Sequence, residues 1–198
     1  MSSPVPTAAR LNAFQLSSHT EEPFDLYGYL PYQVAVVSNL LLLDRDVRIR
    51  ELTDLNAREL RILLNVGSYG PIHAADIAYQ SRLDPYSVSR AVKVLQQKHL
   101  IKSVTPVSAK IQSMVLTPQG QSVYQQLCVE LDHRAERVLK GVSDHEQQMM
   151  SRVLAKLEQN AEQMLAEHCQ TAQRQGKTLT REQQEFIRWQ QRSAKKPE

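Results

Sequence analysis

Apolar residues recur at helical spacing along most of the chain, and the breaks between the runs carry recognisable start and stop signals. From Pro31, a residue suited to the first helical position, the pattern predicts a helix to about Glu51. It carries two apolar stripes, Val34, Val37, Leu41 and Tyr32, Val36, Leu40, Leu43, Val47. A helix that is apolar on more than one side must be covered on more than one side. In a chain of 198 residues a second copy is the natural cover. Asn56-x-x-Glu59 then reads as a capping box opening a helix through Leu60, Leu63, Leu64 and Val66, with Gly67, Gly70 and Pro71 expected to stop it. Ile72–Gln80 is predicted as one short helix with Ile77 and Ala78 inward, and Ser81-Arg82-Leu83 as a turn. Asp84-Pro85 restarts the chain as N-cap and first helical residue of a helix to about His99.

The periodicity then changes. Ile101–Thr105 and Ile111–Leu116 are short β-rich runs joined by Pro106-Val107-Ser108-Ala109-Lys110, which predicts a hairpin without a tight Asn-Gly turn. Thr117-Pro118 starts a long helix with Tyr124, Leu127, Leu131, Ala135, Val138 and Val142 on one face. Ser143-x-x-Glu146 is a second capping box, opening a helix with Met150, Val153, Leu157, Ala161 and Met164 in register. Thr180-x-x-Gln183 introduces a last helix with Phe186, Ile187 and Trp189. The fold class is therefore mainly α with a small β-hairpin wing: two short helices, a brief turn and a hairpin make a winged helix-turn-helix.

Charge sharpens this picture. The chain carries a formal net charge of +3, but residues 56–117 hold 8 Lys and Arg against 3 Asp and Glu, and residues 170–198 hold 7 against 3. Positive charge gathered in one internal block and one tail is what phosphate-binding segments require. Scarce aromatics (6%) and 6 glycines favour helices over a many-turned β fold. Two cysteines, Cys128 and Cys169, form no disulfide framework, and Cys128 beside an apolar stripe reads as a buried small hydrophobe. The adjacent His168-Cys169 pair diverges by about 100° on a helix, so with His133 and His145 it predicts no metal site. No cofactor loop, catalytic Ser/His/Asp spacing or paired carboxylates occur, which argues against an enzyme. The N-terminal stretch lacks the apolar core of a signal peptide, and Val34–Leu43 is about half a membrane span. A cytoplasmic protein that does not engage membranes is expected.

The helix from Asp84 is the candidate reading head. At 100° per residue Val88, Ala91, Val92 and Leu95 face the core. Tyr86, Arg90, Lys93 and Gln97 then fall on the opposite face, flanked by Ser87 and Ser89. Arg takes guanine edges or clamps phosphate, while Ser and Tyr reach phosphates or base edges. Lys110 at the hairpin tip is a further DNA contact. An exposed polar face is also what an ordinary surface helix shows, and a winged helix that binds protein without specific DNA binding is the alternative reading.

The stretch from Leu55 to Gly120 resembles the MarR family of bacterial regulators. The resemblance is carried by the run Leu55 to Leu63, by Asp76-Ile77-Ala78, by the run Ser87 to Leu95, by Leu100-Ile101, and by the run Val115 to Gly120. It implies a repressor or activator that binds double-stranded DNA as a homodimer. Its two winged-helix lobes would read a pseudo-palindrome, with recognition helices about 34 Å apart. It also implies a small effector, aromatic or anionic, between dimerisation helices and reading lobe. Tyr32 and Ser38 in the first helix are the groups available for such an effector, although both can equally pack in a dimer core. On this reading residues 1–23 are a flexible arm and 24–55 a dimerisation helix. Residues 56–117 are the DNA-binding domain, 118–169 further dimerisation helices and 170–198 a basic extension. The family's wing carries Asp two residues before an Arg that enters the minor groove; here Ser108 and Lys110 stand in those places, so the brace is missing and Lys is the poorer planar donor. The tail helix either clasps the dimer or sends Arg181, Arg188, Arg192, Lys195 and Lys196 to DNA.

Overall fold

The computed structural model describes residues 16–43, 47–105 and 112–193. The chain divides between Arg45 and Asp46 into two compact units. In the first, Phe24 meets Tyr29 edge to face (centroids 5.3 Å apart) ahead of helix α1 (Leu30–Leu43). Val34, Val37, Leu40, Leu41 and Leu42 of α1 are all exposed. The apolar circumference foreseen for this helix is thus present and uncovered.

The helix expected to Glu51 is described as two segments, one on either side of residues 44–46, which lie outside the described residues. The second, α2 (Val47–Leu52), belongs to the other unit, where Ile49 is buried and α2 packs on α6 (Pro118–Val138). Then come α3 (Ala57–Tyr69), α4 (Ala74–Ser81) and α5 (Pro85–Gln97), which pack on one another around Leu55, Ile62, Leu63, Ile77, Val88 and Leu95, all completely buried. Truncating any one of the Leu or Ile side chains to Ala removes about 2–5 kcal/mol by lost burial plus the cavity left behind. Leu127 of α6 closes the same core.

Each helix start follows from its cap. Asn56 accepts from the Arg58 and Glu59 amides at 2.9 and 3.1 Å while Glu59 takes the Asn56 amide, the predicted box. Gly67 does not stop α3: the helix runs on to Tyr69, and Gly67 is there because a Cβ would run into the ring of Tyr124 on α6. Ile72 does not begin α4. It exchanges both backbone hydrogen bonds with Met114, at 3.2 and 2.8 Å, adding a third position to the wing sheet, and α4 starts only at Ala74. The β-branched Ile72 fits this extended position better than a helix.

Strands β1 (Ile101–Val104) and β2 (Ser113–Leu116) pair antiparallel, from Ile101 opposite Leu116 to Val104 opposite Ser113. His73 Nδ1 lies 3.1 Å from both the Gln112 carbonyl and Ser113 Oγ, tying the start of α4 to the wing. The hairpin tip, with Ser108 and Lys110, lies outside the described residues.

Thr117 caps α6 through the Gly120 amide (3.0 Å), and Ser143 with Glu146 forms the predicted box of α7 (Asp144–Arg174). Glu146 is held below its ordinary range by hydrogen bonds from the Ser143 side chain and backbone. The apolar face of α6 divides by depth: Leu127 is buried and Tyr124 and Leu131 half-buried, but Ala135 and Val138 are exposed, as is Val142 beyond the helix end. On α7, Met149, Met150, Val153, Leu154 and Met164 are exposed as well. No described helix is long and apolar enough to cross a membrane.

Gly120 sits against the backbone of Leu100, whose carbonyl accepts from Thr117 N (3.1 Å), and a Cβ there would collide with that carbonyl. Gly120→Ala is therefore expected to cost about 1–3 kcal/mol by overpacking, while Gly120→Val should be worse. Urea melts of both variants check this; an unchanged midpoint for Gly120→Ala would show that the wing base yields freely.

Candidate nucleic-acid interface and the adjoining cavity

Helix α5 owes its orientation to its two ends. At the start, Asp84 accepts from the Ser87 amide at 2.8 Å, with Pro85 in the first helical turn. Hydrogen bonds from the Ser87 side chain and backbone hold the Asp84 carboxyl below its ordinary range. At the far end His99 adopts a left-handed conformation (φ 56°) that breaks the helix before the wing. Lys98 Nζ meets Asp54 at 2.6 Å, an exposed pair that fixes direction more than it adds stability.

Between those ends the faces separate as the sequence predicts. Val88, Ala91 and Leu95 are buried and Val92 half-buried. Tyr86, Ser89, Arg90 and Lys93 are exposed on the other side, with Gln97 beyond them. The Arg90 guanidinium lies over the Tyr86 ring, 5.6 Å from its centroid, so this pair presents one planar cationic surface. Ser87 is half-buried and engaged with Asp84, at the margin of the face. Tyr32 and Ser38 lie on α1 in the first unit.

The turn between α4 and α5 holds residues whose part the sequence did not reveal. Arg82, at the C-terminal cap of α4, is left-handed (φ 52°), a conformation in which glycine is the usual residue. Its side chain accounts for the exception: it donates to the Tyr79 carbonyl (3.0 Å), reaches Glu158 (2.8 Å) and Glu162 of α7, and lies 4.0 Å over the Tyr79 ring. The Tyr79 hydroxyl donates to Glu162. Burial, then the Glu162 contact, raises the Tyr79 phenol above its ordinary value.

The other neighbour of Tyr79 is α8 (Arg181–Ser193), whose Trp189 stacks on it with the rings 7° from parallel and whose Phe186 lies 6.5 Å from it. The predicted Thr180–Gln183 box opens this helix, with reciprocal bonds of 2.9 and 3.3 Å. Its apolar side is thus spent within the chain, on the helix-turn-helix. Between α4, the turn, Leu165 of α7 and α8 lies a cavity of about 400 Å³. Cys169 is the completely buried thiol, raised by that burial, whereas Cys128 is half-buried, against expectation. Among the described residues no three His, Cys, Asp or Glu gather as metal ligands would.

Asp84→Ala should lower stability by about 1 kcal/mol at neutral pH, the usual worth of an N-cap. Because the folded carboxyl is depressed, this contribution is present above about pH 4 and fades as the pH falls through the folded value. Urea melts at pH 7 and pH 3 test it: a gap between wild type and variant that widens in acid would refute the assignment. Trp189→Ala should loosen α8, seen as faster proteolysis between Gln175 and Thr180; unchanged digestion would mean that the stack does not hold the helix.

Residues 53–109 match the family model described as MarR family. Among solved structures, the chain is similar to a MarR/EmrR family transcriptional regulator from Acinetobacter sp. ADP1, with 23% identity, a TM-score of 0.66, and 71% of this chain and 99% of that one covered. It is also similar to Streptococcus pneumoniae FabT in complex with DNA, with 18% identity, a TM-score of 0.57, and 70% and 99% covered. A third is Staphylococcus aureus MarR in complex with salicylate and kanamycin, with 18% identity, a TM-score of 0.55, and 65% and 86% covered. Among curated proteins no sequence matches significantly. Residues 53–109 are thus similar to the MarR family, and the fold of the chain is the winged helix-turn-helix of these solved structures.

Proposed function

We propose that the chain is a sequence-specific DNA-binding transcription regulator that acts as a homodimer on a pseudo-palindromic site. The observation that carries this reading is α5: a helix locked into the core by Val88, Ala91 and Leu95 presents Tyr86, Ser89, Arg90 and Lys93 outward, directly before a hairpin. Such a helix fits a major groove, with Arg90 aimed at guanine edges or phosphate and Ser87, Ser89, Tyr86 and Lys93 around it. Lys110 is placed by sequence at the wing tip, where a groove or phosphate contact belongs. The DNA complex of the FabT relative supports the same use of the fold.

Dimerisation is supported by what a single chain leaves uncovered. Val34, Val37 and Leu40 of α1, Val138 at the end of α6 and Met150, Val153 and Leu154 of α7 are exposed apolar residues on regular helices. Exposed apolar stretches of this kind, in each of the two units, are what a protein interface covers. Modulation by a small effector has support from the salicylate and kanamycin complex of the S. aureus relative, and Tyr32 and Ser38 on α1 are candidate contacts.

Binding of the purified protein to DNA upstream of its own gene, followed by fluorescence anisotropy at two salt concentrations, tests the reading. Tight, competitor-resistant binding that weakens with salt is expected, and Arg90→Ala should lose about 1–3 kcal/mol on the cognate site at fixed salt. Unchanged affinity in that variant would refute the assigned face, and no retention of DNA at low salt would make the chain a protein-interaction module.

A further inference from the structure

The cavity beside the reading helix has chemistry of its own. Its floor is aliphatic, built from Ala75 and Ala78 of α4, Pro85 of α5 and Leu165 of α7. Its walls are aromatic: Tyr79, Phe186 and Trp189. About 400 Å³ lies within the range of small-molecule sites and accommodates a ligand of one or two rings.

The charges at its edge are unequal. Arg82 is its only lining cation among the described residues, and that charge is committed to Glu158 and Glu162 of α7, neither of which lines the cavity. Three carboxylates face it: Asp84, Glu182 and Glu185. Glu185 is paired with Arg188 at 2.6 Å, and Asp84 caps α5. Glu182 is exposed and has no ion-pair partner among the described residues. Asp84 is in turn offset by the Arg58 charge, which leaves Glu182: an anion entering here meets its uncompensated carboxylate, whereas a cation meets opposite charge at the rim and aromatic rings within. With one indole face taken by Tyr79, the other is the face such a cation can use.

The geometry points to a binding site for a small hydrophobic cation, an aromatic amine or quaternary ammonium, between α8 and the helix-turn-helix, with Glu182 as its counter-charge. This departs from the anionic effector that the family resemblance implies. The site is independent of the DNA-binding reading, since it needs only α4, α5, α7 and α8.

The chain contains a single tryptophan, Trp189, so its intrinsic fluorescence reports on this cavity alone. Full-length protein is titrated with benzyltrimethylammonium, with phenylmethanesulfonate as the anion of similar size and benzyl alcohol as the neutral control. The cation should change Trp189 emission saturably and bind about tenfold or more tighter than the anion, a difference of about 1.4 kcal/mol. Glu182→Gln, a surface substitution that leaves the fold intact, should weaken the cation about fivefold and leave benzyl alcohol unchanged. Calorimetry on Trp189→Leu should show loss of cation binding where fluorescence is silent. An anion that binds as well as the cation would overturn the proposal. So would an unsaturable response matching that of free N-acetyltryptophanamide, or a Glu182→Gln variant with wild-type affinity.

Discussion

The turn that sets α5 in place is held by one side chain. Arg82 stands in a backbone conformation that no β-carbon favours, at the point where α4 must stop and α5 must set off in a new direction. Glycine would relieve the backbone but bring nothing to the junction. Arginine instead spends its planar fork on the Tyr79 carbonyl, on two carboxylates of α7 and on the Tyr79 ring. Helices α4 and α7, distant in sequence, therefore meet at a single guanidinium, and α8 joins them through Trp189 on the same tyrosine. The outward face of α5 keeps its direction because this junction and the buried side chains beneath it agree.

Much of the fold was legible because its determinants are local. Caps at Asn56, Asp84, Thr117, Ser143 and Thr180 need only the residue three places on, and each one is found where the spacing put it. The two faces of α5 follow from a 100° step and a clear split between apolar and polar positions. What escaped depends on partners far along the chain. Gly67 looks like a stop signal until Tyr124 is seen packed against it, 57 residues later. Ile72 reads as the start of a helix because its real partner, Met114, lies across the wing.

The candidate site divides in the same way. Tyr86, Arg90 and Lys93 could be named from periodicity alone, since facing outward is a local property. The cavity could not, because its walls come from four helices and its decisive contact joins Tyr79 to Trp189, 110 residues apart. Phe186 and Trp189 did announce an apolar side needing cover; nothing local said that α4 would provide it.

Helix α7 has a mechanical consequence. Its 31 residues make a rod about 46 Å long. Toward its N-terminal end stand the uncovered Met149, Met150, Val153 and Leu154, and further along, Glu158 and Glu162 grip Arg82. A stiff rod converts rotation into displacement: Glu162 lies 12 residues, about 18 Å, beyond Met150, so a tilt of about 5° about Met150 carries it through about 1.6 Å. Whatever settles on the exposed methionines thereby gains leverage over the angle of the turn.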